Sequence, residues 1–165
     1  MSRTFTRHHD AIRMTLRAEE AALLERLAGE LRTALERPHT DDPVRSRLFP
    51  PAVLGDAEAD REVRDLLADA LLADRLEGLT AVLHVVARAK RSRGRLIVDL
   101  ADEEPLLLLG VLNDIRLAIG ARIDIEAIDR DQVGEQDEMA YPLAVMDHLG
   151  WWQEQLLVLL DGEGG

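Results

Sequence analysis

Seven carboxylates crowd one segment (Asp124, Glu126, Asp129, Asp131, Glu135, Asp137 and Glu138), the raw material of a calcium loop. Counting a twelve-residue loop from Asp129 puts Asp131 third and Gly134 sixth, as an EF-hand requires. Val133 then takes the fifth, ligand-bearing place, and Ala140 stands where a bidentate Glu is needed. Neither side chain carries an oxygen, so the segment reads as a solvated acidic loop. The histidines are His8, His9, His39, His84 and His148, and none stands in HExxH or another metal-ligand spacing. Asp147 and His148 are neighbours on a predicted helix. Their side chains point about 100° apart and form no side-by-side dyad. The absence of cysteine excludes disulfides, thiolate metal sites and cysteine nucleophiles. No GxSxG, P-loop or GxGxxG segment occurs. No catalytic residue, metal ligand or cofactor site is assigned, and the expectation leans away from an enzyme.

Three other constellations call for an explanation. Arg88, Lys90, Arg91, Arg93 and Arg95 form a basic run without an acidic interruption, a candidate contact for an anion or nucleic acid. The plainer reading is favourable charge at a helix C-terminus and the turn after it. The net charge of −12 argues against broad nucleic-acid binding but leaves room for a local patch. Next, Asn113, Asp114 and Arg116 interrupt an otherwise apolar helix, and buried polar groups are costly unless each is partnered. Asn113 shares a stripe with Leu106, Leu109, Gly110 and Leu117, which places it inside or at an interface. Asp114 is expected to face water, and Arg116 to pair with a carboxylate of another helix. The set is either a structural network or a contact for a ligand or partner. Finally, Trp151 and Trp152 are consecutive and point different ways. Trp152 fits the buried stripe, leaving Trp151 for a second packing surface or a partner.

The elements that must hold these residues follow from periodicity. At 165 residues the chain suits one domain, 1–165, and with 47% hydrophobic but 3% aromatic residues its core must be Leu, Val, Ile and Ala. Ile12, Met14 and Leu16 alternate as a short strand. Leu24, Leu27, Leu31 and Leu35 predict a first helix over Arg17 to Arg37. The proline-bearing stretch Pro38 to Gly55 predicts a loop without regular helix, laid across the core by Leu48, Phe49 and Val53. Asp56 caps a second helix whose expected buried stripe is Val63, Leu66, Leu67, Ala70 and Leu71. Leu76, Leu79, Leu83 and Val86 predict a third, separated near Asp74 or bent near Gly78, with one long helix as the alternative. Leu96 to Val98 reads as a strand. Asp102 caps a fourth helix, Leu106 to Ile119, stopped by Gly120, with Gly110 allowing close approach. Being apolar nearly all round, it belongs in a bundle centre or an interface. Ile123, Ile125 and Ala127 alternate as a third strand. A last helix spans Pro142 to Leu160, apolar at Leu149, Trp152, Leu156, Leu159 and Leu160. Residues 1–11 and 162–165 are expected to be poorly ordered. The fold class is mainly α, a five-helix bundle with up to three short strands that could form a small sheet.

The longest apolar run, Pro105 to Leu112, is too short to cross a bilayer, and the first ten residues do not resemble a signal peptide. A cytoplasmic location without membrane contact is the expectation.

Three segments together resemble a known family. They are Arg61-Glu62-Val63-Arg64, the block from Leu112 to Gly120 (Leu-Asn-Asp-x-Arg-Leu-x-x-Gly), and Leu149-Gly150-Trp151-Trp152-Gln153-Glu154. The family is an actinobacterial one known as the domain of unknown function number two thousand and seventeen, and the likeness runs from about Thr15 to Leu160. It implies company rather than chemistry: members tend to be encoded beside a ClpS-type protease adaptor and enzymes of sulfur-carrier metabolism. It supplies no catalytic residue. The expected function is a non-enzymatic interaction or regulatory protein with a protein partner or a second copy of itself, linked to regulated proteolysis. The alternatives are a nucleic-acid-associated transcriptional regulator using the Arg88 to Arg95 run, and a small-molecule protein with a pocket reaching Asn113 and Arg116.

Overall fold

Alternation along residues 11–17 and 95–100 puts Ile12, Met14 and Leu16 on the same buried face as Leu96, Val98 and Leu100. In a computed structural model these segments are the strands β2 (Ala11–Arg17) and β4 (Arg95–Leu100), paired antiparallel. The structure describes residues 3–37, 43–48 and 57–162. Two further strands, β1 (Phe5–His8) and β3 (Lys90–Ser92), complete a four-stranded antiparallel sheet in the order β1-β2-β4-β3. The β3–β4 hairpin turns on Arg93 and Gly94, both with positive φ (53° and 75°), the conformation that a tight two-residue turn demands.

Among the described residues five helices accompany the sheet: α1 (Ala18–Glu36), α2 (Pro43–Leu48), α3 (Ala57–Arg88), α4 (Glu104–Arg122) and α5 (Ala140–Asp161). α1 begins directly from β2. The Glu20 carboxylate in its first turn accepts from the Arg17 backbone N–H at 3.0 Å, one half of a capping box. α4 lies at the centre, touching α1, α2, α3 and α5, as a helix apolar on every side must. α1, α3 and α5 contact β2, β4 and β1 respectively, so the helices cover the apolar face of the sheet. The other face carries Arg13, Thr15, Ile97 and Asp99, with Arg13 bonded to Asp99 at 2.7 Å.

Several expectations change. The bundle has four long helices and one short one. The two helices expected on either side of Asp74 are a single 32-residue α3, with Gly78 lying inside it where α4 approaches closely. A Cβ at Gly78 would meet Val111 Cγ2 at 3.3 Å. The stretch expected to lack regular helix holds α2, because Pro43 sits in a first turn, where no backbone N–H is needed. Val44 and Leu48 of α2 reach the core, while Phe49, Val53 and Asp56 lie outside the described residues. Asp102 does not cap α4. It takes a positive φ of 54° and the N-cap position falls on Glu103. α4 continues past Gly120, whose missing Cβ lets Ile125 Cγ2 come close rather than ending the helix; a Cβ there would meet it at 3.2 Å. Gly110, by contrast, faces open space. The third expected strand is a 3-10 turn, Ile125–Ala127, because Asp124 adopts a left-handed φ of 51° straight after the helix.

The start of the chain is also ordered, against expectation, from residue 3 onward. Phe5 is 1% exposed and meets Trp152 of α5 edge-on at 6.5 Å. Gln155 Oε1 accepts the backbone N–H groups of Thr4 (2.9 Å) and Phe5 (3.2 Å), satisfying donors that an edge strand leaves open. Arg7 Nη2 donates to the Leu159 carbonyl at 2.8 Å near the end of α5. At the other end Gly162 adds one turn residue, and 163–165 lie outside the described residues. Phe5→Ala should therefore destabilise by about 3–5 kcal/mol, the cost of an emptied aromatic core site. Urea unfolding checks it, and a loss under about 1 kcal/mol would show that β1 is not part of the core.

Candidate functional site

In α4 the burial of the polar block is the reverse of the sequence expectation. Asp114 is 3% exposed, whereas Asn113, one residue and about 100° round the helix, is exposed. The turn of the helix that faces α3 is the one Asp114 occupies, and Arg75 of α3 meets it at 2.8 Å. The contact is an ion pair without a well-aimed hydrogen bond: Arg75 Nε and Asp114 Oδ1 both stay buried without a hydrogen-bond partner. Burial pushes the Asp114 carboxyl up to about 6, a rise that the Arg75 charge opposes only in part.

Arg116 does not pair with a carboxylate. Its Nη1 donates to Gln153 Oε1 of α5 at 2.7 Å, and its guanidinium lies over Gly150, where a Cβ would stand 3.2 Å from Cζ. Gly150 is therefore the gap in α5 that admits Arg116, and Gln153 is its acceptor one turn further on. Asn113, Arg116, Leu117 and Gly120 together line an open cavity of about 660 Å³, whose walls also include Pro43 and Arg47 of α2 and Asp124, Ile125 and Glu126. Arg47 and Glu126 approach to 3.5 Å across it. The volume is that of a small-molecule pocket.

The tryptophans divide as their directions require. Trp152 is fully buried with its indole N–H unpartnered, while Trp151 is half-buried at the wall of another cavity. His148 lies against both rings, 4.9 Å from Trp152 and 5.8 Å from Trp151. Glu20 Oε2 accepts from His148 Nε2 at 2.9 Å. Burial works to raise the Glu20 carboxyl, but hydrogen bonds from the Arg17 backbone, His148 and the Arg17 side chain overcome it and hold Glu20 below the usual range.

The basic run is not one patch. Arg88 is committed to Glu104, with both guanidinium nitrogens at 2.6 Å from its oxygens, and also reaches the Asp99 carbonyl. Lys90 and Arg91 alternate in β3 and so face opposite sides, opposite Ile97 and Leu96. Arg93 is in the hairpin turn, and Arg95 points into the cavity walled by Trp151. In the acidic loop, Asp129 accepts from the Asp131 backbone and Arg130 pairs with Asp147 at 2.7 Å. Among the described residues no group of three or more His, Asp or Glu is placed to hold a metal ion, and no helix is long and apolar enough to cross a membrane.

The family described as Domain of unknown function (DUF2017) matches residues 2–160, nearly the whole chain and all of the cavity-lining block. The chain belongs to that family. No curated protein and no solved structure matches it.

Two features of this family member escape sequence reasoning. Arg75 gives no sign in the sequence that it serves Asp114, since the two lie on different helices and 39 positions apart. The stripe expected to be buried in the first half of α3 is open instead: Val63 is 37% exposed, Leu66 72%, Leu67 50% and Leu71 37%. Its spacing is that of any packed stripe, so only the fold shows that nothing described covers it.

The Asp114 shift fixes a pH dependence. Its folded-state value of about 6 lies above the ordinary 3.8, so its contribution to stability is full below pH 4 and is lost as pH rises through 6. Asp114→Asn removes that titration. The stability of the natural sequence should fall relative to D114N by on the order of 3 kcal/mol between pH 4 and 6.5, measured by urea unfolding. Glu20, Asp99 and Glu104 are held low and act in the opposite sense at lower pH, but equally in both proteins. A stability difference that stays flat with pH would contradict the burial of the Asp114 charge.

Proposed function

We propose that this chain is a non-enzymatic interaction protein of a regulatory kind, acting in the cytoplasm as a weak pair of copies joined through the first half of α3. The observation that carries the reading is the open stripe Val63, Leu66, Leu67 and Leu71. Apolar side chains at this spacing form a continuous ridge on one helix face. Four of them exposed together mark a contact surface rather than scattered surface leucines. A second copy suits the ridge because Val63 and Leu71 lie four residues on either side of Leu67. Turned end for end on a two-fold axis, Val63 of one copy meets Leu71 of the other across a central Leu67 pair. A helix pair of this length is a small interface, which places the dimer among concentration-dependent associations. Regulated proteolysis, implied by the resemblance, is the setting in which such a regulator would act.

Sedimentation equilibrium over a range of concentrations tests it. The mass should rise from 18.4 kDa towards twice that value. Leu67→Asp places two like charges on the axis and should hold the protein monomeric with an unchanged circular dichroism spectrum. A monomer at every concentration, or a dimer indifferent to both L67D and L66D, would overturn the reading.

A second reading has its own observation, the cavity lined by Asn113 and Arg116. It makes the chain a small-molecule sensor. Native mass spectrometry of the purified protein should then show a retained adduct that Asn113→Trp, filling the cavity, removes. A bare mass for the natural sequence, or an adduct that persists in N113W, counts against it.

A further inference from the structure

We propose that the cavity between β2, β4 and α5 is a binding site for a small organic anion, its phosphate or carboxylate held by Arg3, Arg17 and Arg95 and its carbon part lying on Trp151. The cavity holds about 320 Å³ and brings these four side chains together from distant parts of the chain. Three guanidinium groups in one hollow are unexpected in a protein of net charge −12. Arg17 of β2 stands directly opposite Arg95 of β4 on the same face of the sheet, and like charges in that position repel.

Among the described residues, counter-charge inside the cavity comes from Glu20 alone, and it is already engaged. It accepts from the Arg17 backbone, from Arg17 Nε at 3.1 Å and from His148. Outside it, Glu19 takes Arg17 Nη1 at 3.2 Å. Arg3 and Arg95 have no ion-pair partner among the described residues. Two guanidinium forks without an ion-pair partner therefore line a space whose other walls are Thr4, Thr15, His148 and the Trp151 indole. Forked donors match the paired oxygens of a carboxylate or phosphate, and the flat face of Trp151 offers an apolar surface to what those oxygens are attached to. Arg95 thus has a role that separates it from the rest of the basic run, whose other members are committed or turned elsewhere.

Because Trp151 lines the cavity, tryptophan fluorescence reads its occupation, with isothermal calorimetry as an independent measure. Phenyl phosphate, benzoate and inorganic phosphate are titrated separately, each against chloride at equal ionic strength. At least one organic anion should give a saturable change that chloride does not. Arg3→Gln and Arg95→Gln should each weaken it about tenfold or more, the loss of one charged hydrogen bond. Arg93→Gln, in the hairpin turn, should leave it unchanged. Phenyl phosphate binding more tightly than benzoate assigns a phosphate ligand, and the reverse order assigns a carboxylate. Trp151→Leu should weaken phenyl phosphate, by calorimetry, more than it weakens inorganic phosphate. Signals no larger than those of chloride, or binding that R3Q and R95Q leave intact, would overturn the site.

Discussion

A helix that is apolar nearly all round needs neighbours on most of its sides, and α4 imposes that condition on this fold. α1, α2, α3 and α5 all touch it, and the sheet packs against the helices that do. The one charge buried in it, Asp114, is admissible only because α3 brings Arg75 to 2.8 Å. Two arginines thus join this central helix to its neighbours in different ways. Arg75 reaches in from α3 to a buried carboxylate, and Arg116 reaches out from α4 to a neutral amide across a glycine. The first contact sets which turn of α4 faces α3. The second sets the height at which α5 lies beside it.

The same arrangement explains why the family-specific block sits where it does. Leu112 and Ile115 are core, Asp114 and Arg116 are the joints, and Asn113 with Leu117 and Gly120 is left to line the hollow beneath α2. Fold and candidate site therefore share one stretch of nine residues. A substitution in that block has consequences for packing and for the cavity together.

How much of this the residues reveal depends on whether their pattern has a direction. α1 and α5 have a polar side, so Leu24, Leu31 and Leu35, and Leu149, Trp152 and Leu156, are correctly read as buried. α4 has none, so its period identifies a central helix but cannot say which of Asn113 and Asp114 turns inward. α3 fails in the other sense. Its stripe at Val63 to Leu71 repeats like a buried one, and burial is decided by whether a neighbour is present, which is a property of the fold. Short strands carry the weakest pattern. β3 is three charged or polar residues, Lys90, Arg91 and Ser92, that become a strand only by pairing with β4. Ile123 to Ala127 alternates as a strand should, yet it finds no sheet edge and turns at Asp124 instead. The candidate sites were visible in residue type, through the tryptophans and arginines, but not in grouping. Nothing local associates Arg3 with Arg95.

The link between β1 and α5 has a consequence for the order of events during synthesis. The N–H groups of Thr4 and Phe5 wait for Gln155, and Phe5 waits for Trp152, about 150 positions later in the chain. Until then the sheet has an open edge and an uncapped aromatic, so a nascent chain cannot close its core one piece at a time. The final helix acts as a latch on the opening strand. Without α5, the N–H groups of Thr4 and Phe5 and the Phe5 ring lose the partners that close them.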